Sequence, residues 1–105
     1  MATKRVYDIN GRDLIRLHLN ECDIILDLGS NEETIFDRAL SVDNGTNLTE
    51  EQLRNIDYVL DLNDIDSLPS CDGICMSHLL EHIVDTRKIL KLCYNSLNDN
   101  GRIAR

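Results

Sequence analysis

Short apolar runs alternate with polar stretches along this chain, and the two kinds of segment carry different periods. Asp23-Ile24-Ile25-Leu26-Asp27-Leu28 is a compact apolar run closed by Gly29, which predicts a first buried strand. Ala39 to Asp43 predicts a second strand ended by Asn44-Gly45, Ile56 to Leu62 a third, and Asp72 to Ser77 a fourth. Helices are predicted between them. Leu14 to Leu19 forms a loosely periodic segment that Asp13 is placed to cap. Ser30 stands three before Glu33 and Thr49 three before Gln52, so two capping boxes open helices over Ser30 to Leu40 and Glu50 to Asn55. From Leu79 the positions Ile83, Thr86, Leu90, Cys93 and Leu97 step by four and three, an amphipathic stripe that Asp85 divides by capping a second helix. Asn98-Asp99-Asn100-Gly101 then reads as a turn, and Arg102 onward as the start of a fifth strand.

Strands too apolar to be half-exposed, alternating with helices, predict an α/β fold with a Rossmann-like parallel sheet of about five strands. Residues 1–20 form a lead-in with one helix, and 21–105 the core of a single domain. The chain stops as a strand begins, so further C-terminal strands of such a sheet are expected to lie outside this sequence. An exposed edge on the fifth strand would favour self-association.

Composition narrows the classes. With 11 basic and 19 acidic side chains, the formal net charge of −8 argues against a general nucleic-acid binder, since phosphate backbones require a basic stripe. No apolar run approaches the roughly 18 residues of a membrane span, and Met1 to Arg12 lacks a signal peptide's apolar stretch, so a cytoplasmic protein is expected. Cys22, Cys71, Cys75 and Cys93 are spaced by 49, 4 and 18 residues, with no C-x-x-C pair, and read as small core hydrophobes.

Ligands of open α/β sheets bind beyond the carboxyl ends of the strands, where strand order reverses. That rule gathers Gly29, Ser30 and Asn31, then Asp43, then Ser77 to Leu79 around one crevice. A dinucleotide suits it poorly. The turn carries one glycine and two carboxylates, Glu32 and Glu33, which would repel a pyrophosphate. Asp43 also follows Gly29 by only 14 residues, against the roughly 20 of the dinucleotide pattern. S-adenosylmethionine (SAM) carries no phosphate, and its sulfonium and ammonium are cationic. A carboxylate ending the second strand, as Asp43 does, can accept both ribose hydroxyls.

Five segments in order resemble landmarks of the class I SAM-dependent methyltransferases, nearest to their type 11-like group. They are Ile25-Leu26-Asp27-Leu28-Gly29-Ser30, Val42-Asp43, Val59-Leu60-Asp61-Leu62-Asn63, Asp72 to His82 with its Ser77-His78-Leu79-Leu80-Glu81-His82 ending, and Leu97 to Ile103. The resemblance implies SAM as cofactor and methyl transfer to a small-molecule or sugar acceptor by direct attack on the methyl. It implies that Gly29 and its neighbours Ser30 and Asn31 approach the methionine part, with Asp27 bracing the turn. It implies that Asp43, followed by Asn44, holds the ribose, that Asp61 and Leu62 (or Asp64) contact adenine, and that Ser77 and His78 line the far wall. Asn31 stands where the family usually has a second glycine, and the family's seven-stranded sheet exceeds what these residues supply.

Three other readings compete for parts of the chain. His78-Leu79-Leu80-Glu81-His82 also matches the H-x-x-E-H zinc motif, but only 23 residues follow His82 to supply a third ligand and a long helix, so no metal is expected. His78 as general base competes with His78 as a packing wall, while His82 suits the helix start and His18 the surface. A truncated or degenerate methyltransferase fold that binds SAM, its demethylated product or a protein partner without catalysis is the alternative to an enzyme.

Overall fold

The computed structural model of the chain describes residues 4–8, 11–29, 34–45, 48–63, 65–76 and 86–104. In chain order these form β1 (Arg5–Tyr7), α1 (Arg12–Leu19), β2 (Ile25–Leu28), β3 (Leu40–Asp43), α2 (Glu50–Leu53), β4 (Tyr58–Val59), β5 (Cys71–Met76), α3 (Thr86–Ser96) and β6 (Leu97–Ala104). Among the described residues the six strands make one sheet in the order β1-β6-β5-β2-β3-β4, and every neighbouring pair is parallel. The protein is thus an α/β fold with a parallel sheet, compatible with a Rossmann-like arrangement.

Both faces of that sheet are covered, as a parallel sheet requires. Leu26, Leu28, Val42, Ile74, Met76 and Ile103 share one face with Ile89 and Cys93 of α3 and with Leu62 and Leu68. Ile25, Cys75 and Ala104 share the other with Ile15 and Leu19 of α1 and with Ile35 and Ala39. The wholly buried β2 lies at the centre, between β3 and β5.

Three local expectations are corrected. First, the sheet has six strands, and the fifth-strand candidate is not an open edge: β1, unforeseen in the sequence, pairs along β6 with Arg5 opposite Arg102 and Tyr7 opposite Ala104. Any self-association would therefore meet β1 or β4 at the sheet's edges. Secondly, Asn98 to Gly101 is no inter-element turn but a wide bulge inside β6. Leu97 faces Cys71 and Arg102 faces Gly73, so two steps along β5 match five along β6, and Asn100 adopts φ 66. Thirdly, residues 34–39 form turns and bends instead of the end of a helix: side chains from α1 and β2 take the backbone groups of Thr34 and Ile35, and Ala39 N donates to Phe36 O. The expected start of that helix, Ser30 to Glu33, lies outside the described residues.

Smaller shifts have local causes. Helix α1 begins at Gly11 (φ 101) with no side-chain cap, while Asp13 sits in the first turn and pairs with Arg16 at 3.3 Å. The Thr49 box forms as expected: Thr49 Oγ1 accepts from Gln52 N, and Gln52 Oε1 accepts from Thr49 N. Strand β4 is only two residues long and exposed at the end of the sheet, and Asp57 before it accepts from Ser41 N at 2.8 Å. The first half of the Leu79 stripe and Asp85 lie outside the described residues.

Candidate functional site

The chain builds β2, β3 and β4 in one direction, then crosses back to lay β5 and β6 on the other side of β2. Strand order therefore reverses between β2 and β5, the position where ligands enter such sheets. Gly29 directly follows β2 there. Its φ of 72 is a left-handed conformation that favours glycine, and its N–H donates to Val42 O at 2.7 Å. That bond keeps Gly29 alongside the end of β3.

Asp43 closes β3 beside it and is buried at 7% exposure. Its Oδ1 accepts from Gly45 N at 2.9 Å, a side-chain turn that positions the carboxylate, with Gly45 at φ 80 and Asn44 exposed between them. Its carbonyl accepts from Leu60 N at 2.8 Å, which brings the chain after β4 to the same end of the sheet. Asp61 is exposed there, its Oδ1 accepting from Asn63 N at 3.0 Å, and Leu62 is buried in the core on the α3 side. Ser30, Asn31, Asp64, Ser77, His78 and His82 lie outside the described residues.

Asp27 is the most unusual group. It is 2% exposed in the middle of the sheet, level with Ser41 of β3 and Cys75 of β5. Burial pushes its pKa from the ordinary 3.8 up to about 6, against the opposing pull of the Ile35 N–H, the Arg12 guanidinium and the Cys75 thiol. Its Oδ2 accepts from Ile35 N at 2.6 Å. Arg12 Nη2 donates to Thr34 O and Arg16 Nε to Ile35 O, both at 2.9 Å. The connection leaving β2 at Gly29 is thereby fastened where it returns at Ile35. The resemblance implied that Asp27 braces the turn at Gly29; the structure shows its carboxylate on Ile35 N, and the sequence reading gave a role to neither of the two arginines. Their spacing of four residues, on one face of α1, was the available signal.

Other reactive groups are quiet. None of the four buried cysteines forms a disulfide, and burial pushes Cys71 up to about 11 and Cys93 up to about 12, with Cys22 raised too. At neutral pH such thiols stay protonated and unreactive. Among the described residues no group of three His, Cys, Asp or Glu side chains is arranged to hold a metal. Nor is any helix among them long and apolar enough to cross a membrane. A cavity of about 410 Å³ lies against β1 and α3, lined by Val6, Asp8, Leu90, Lys91, Tyr94 and Ile103. Strands β6 and β5 separate β1 from β2, so this cavity is remote from the strand-order reversal.

No family model, curated protein or solved structure matches the chain.

Proposed function

We propose that this chain is the cofactor-binding part of a class I SAM-dependent methyltransferase, with its cofactor at the reversal between β2 and β5. The observation that carries the reading is the pairing of a left-handed Gly29 with a buried acid, Asp43, at adjacent strand ends. Gly29 lets the backbone approach the ligand without a Cβ, and Asp43 offers a carboxylate to a ribose diol. The acidic character of these strand ends suits a cationic ligand and opposes a phosphate-bearing one. The parallel sheet is the expected scaffold, although the same fold serves many functions.

When bound, SAM supplies a methyl group on an electrophilic sulfonium. The chain's task is then to bind, align and exclude water, since methyl transfer needs chiefly proximity and in-line orientation. Gly29 and Asp43 serve the binding, Asp27 holds the Ile35 N–H, and Asp61, exposed after β4, is assigned to the adenine. Ser77 and His78, which follow β5 in sequence, are assigned to the methyl acceptor, a small molecule or sugar, by the resemblance alone.

Calorimetric titration of the chain with S-adenosylhomocysteine, beside Asp43→Asn, tests this reading. Asparagine keeps an acceptor for the Gly45 N–H and removes the carboxylate's charge. The wild type is expected to bind and the variant to lose about tenfold or more in affinity, the cost of one charge-assisted hydrogen bond. A folded wild-type chain that gives no heat of binding would overturn the proposal. Equal affinity in the variant would remove Asp43 from the site.

A further inference from the structure

Helix α1 does more than cover the sheet. Ile15 and Leu19 are its buried residues, and Arg12 and Arg16, at the same i, i+3, i+4, i+7 spacing, are half-buried and exposed respectively. Meanwhile Leu14 is 46% exposed and Leu17 70% exposed on the outer side. Ile15 and Leu19 pack against the core and fix the helix rotation, and that rotation aims both guanidiniums at residues 34 and 35. The other end of α1 is tied as well: Arg102 Nη1 donates to His18 O at 2.9 Å, and Arg38 Nη2 to Asn20 O at 2.8 Å.

The Ile35 peptide is held on both sides by side chains. Asp27 takes its N–H and Arg16 its carbonyl, while Arg12 takes the preceding carbonyl. These bonds replace the helical ladder that the local sequence favours. Together with the Gly29 to Val42 bond they fix both ends of the connection that leaves the strand-order reversal.

We propose that Arg12 and Arg16 of α1 are positioning residues of the cofactor crevice, pinning Thr34 and Ile35 against Asp27 so that this side of the crevice, next to Gly29, is held in place for its ligand. The proposal rests on the cofactor reading above. It makes the lead-in helix part of the site instead of a preamble to it. Preorganisation of this kind raises affinity by lowering the ordering cost of binding, without a direct contact.

The test is titration of the full chain and of Arg12→Ala, Arg16→Ala and Arg16→Lys with S-adenosylhomocysteine, alongside amide hydrogen exchange at Ile35. Each alanine variant is expected to bind about tenfold more weakly, the loss of one hydrogen bond from a charged group. Ile35 should exchange faster while the β2 and β5 amides stay protected. Arg16→Lys keeps a cation within reach of the Ile35 carbonyl and should bind close to the wild type. Alanine variants that bind as tightly as the wild type overturn the proposal, as does a lysine variant no better than alanine. If Arg16→Ala loses protection throughout β2 and β5, Arg12→Ala, which removes one bond at the helix start, carries the decision. A silent wild type instead brings down the cofactor reading itself, and the two failures are told apart by that first titration.

Discussion

At the scale of single residues, Asp27 sets the character of the centre of the sheet. Its carboxyl is desolvated more than it is rescued, so the folded state holds the proton more tightly than the unfolded chain does. A raised pKa of this sign contributes stability that is fully present below about 4 and is lost as pH rises through about 6. The move from 3.8 to about 6 corresponds to about 3 kcal/mol. Asp27→Asn keeps an acceptor for the Ile35 N–H and has no charge to bury. Urea unfolding from pH 4 to 7.5 should therefore show the variant gaining on the wild type by up to this amount as pH rises, with the change centred between 4 and 6. A stability difference that does not vary with pH would contradict the assignment. Asp43 is the counter-case, a strand-end acid whose turn with Asn44-Gly45 was legible from the three residues themselves.

Elements were legible where local sequence decides them. The apolar runs gave β2, β3 and β5 within about a residue or two, the margin expected at element ends, and the Thr49 box gave α2. The failures share one cause, which is a partner distant in sequence. Strand β1 has three residues and acquires its identity from β6, nearly the whole chain away. The segment before β3 reads as helix until Arg12, Arg16 and Asp27 claim its backbone. The loose periodicity of α1 had a meaning that only its partners reveal, two arginines that reach Thr34 O and Ile35 O. Within β6, the four polar residues before Arg102 signalled a break in regular structure, but whether a break is a turn or a bulge depends on the register with β5. Gly101 lets that bulge close. A Cβ there would stand 2.9 Å from Asn98 O and 2.9 Å from the Leu97 side chain, with Asn98 itself tied to Asp72 at 2.9 Å. Gly101→Ala should cost about 1–3 kcal/mol by forcing this backbone apart. An unchanged urea midpoint would show that the bulge has room to yield.

For the whole molecule, the sheet's order matters more than any one contact. Because β2 is central and the chain changes direction beside it, the ends of β2, β3 and β5 converge without any local sequence signal saying that they should. The sequence reading reached this convergence through a general rule for open sheets, and the parallel register supports it. What it did not supply was the N-terminal contribution. Both β1 and α1 are joined to β6, by strand pairing and through Arg102, so residues read as a lead-in are built into the domain.

The central claim concerns where a cofactor binds, so its most direct test is location. We would follow the backbone amide signals of the isotope-labelled chain during titration with S-adenosylhomocysteine. The account predicts that the amides of Gly29, Ile35 and Asp43 move together along one saturating curve, while those of Val6 and Tyr94 beside the β1–α3 cavity stay still. Shifts confined to that cavity, or no saturable shift in a chain whose spectrum is that of a folded protein, would contradict it.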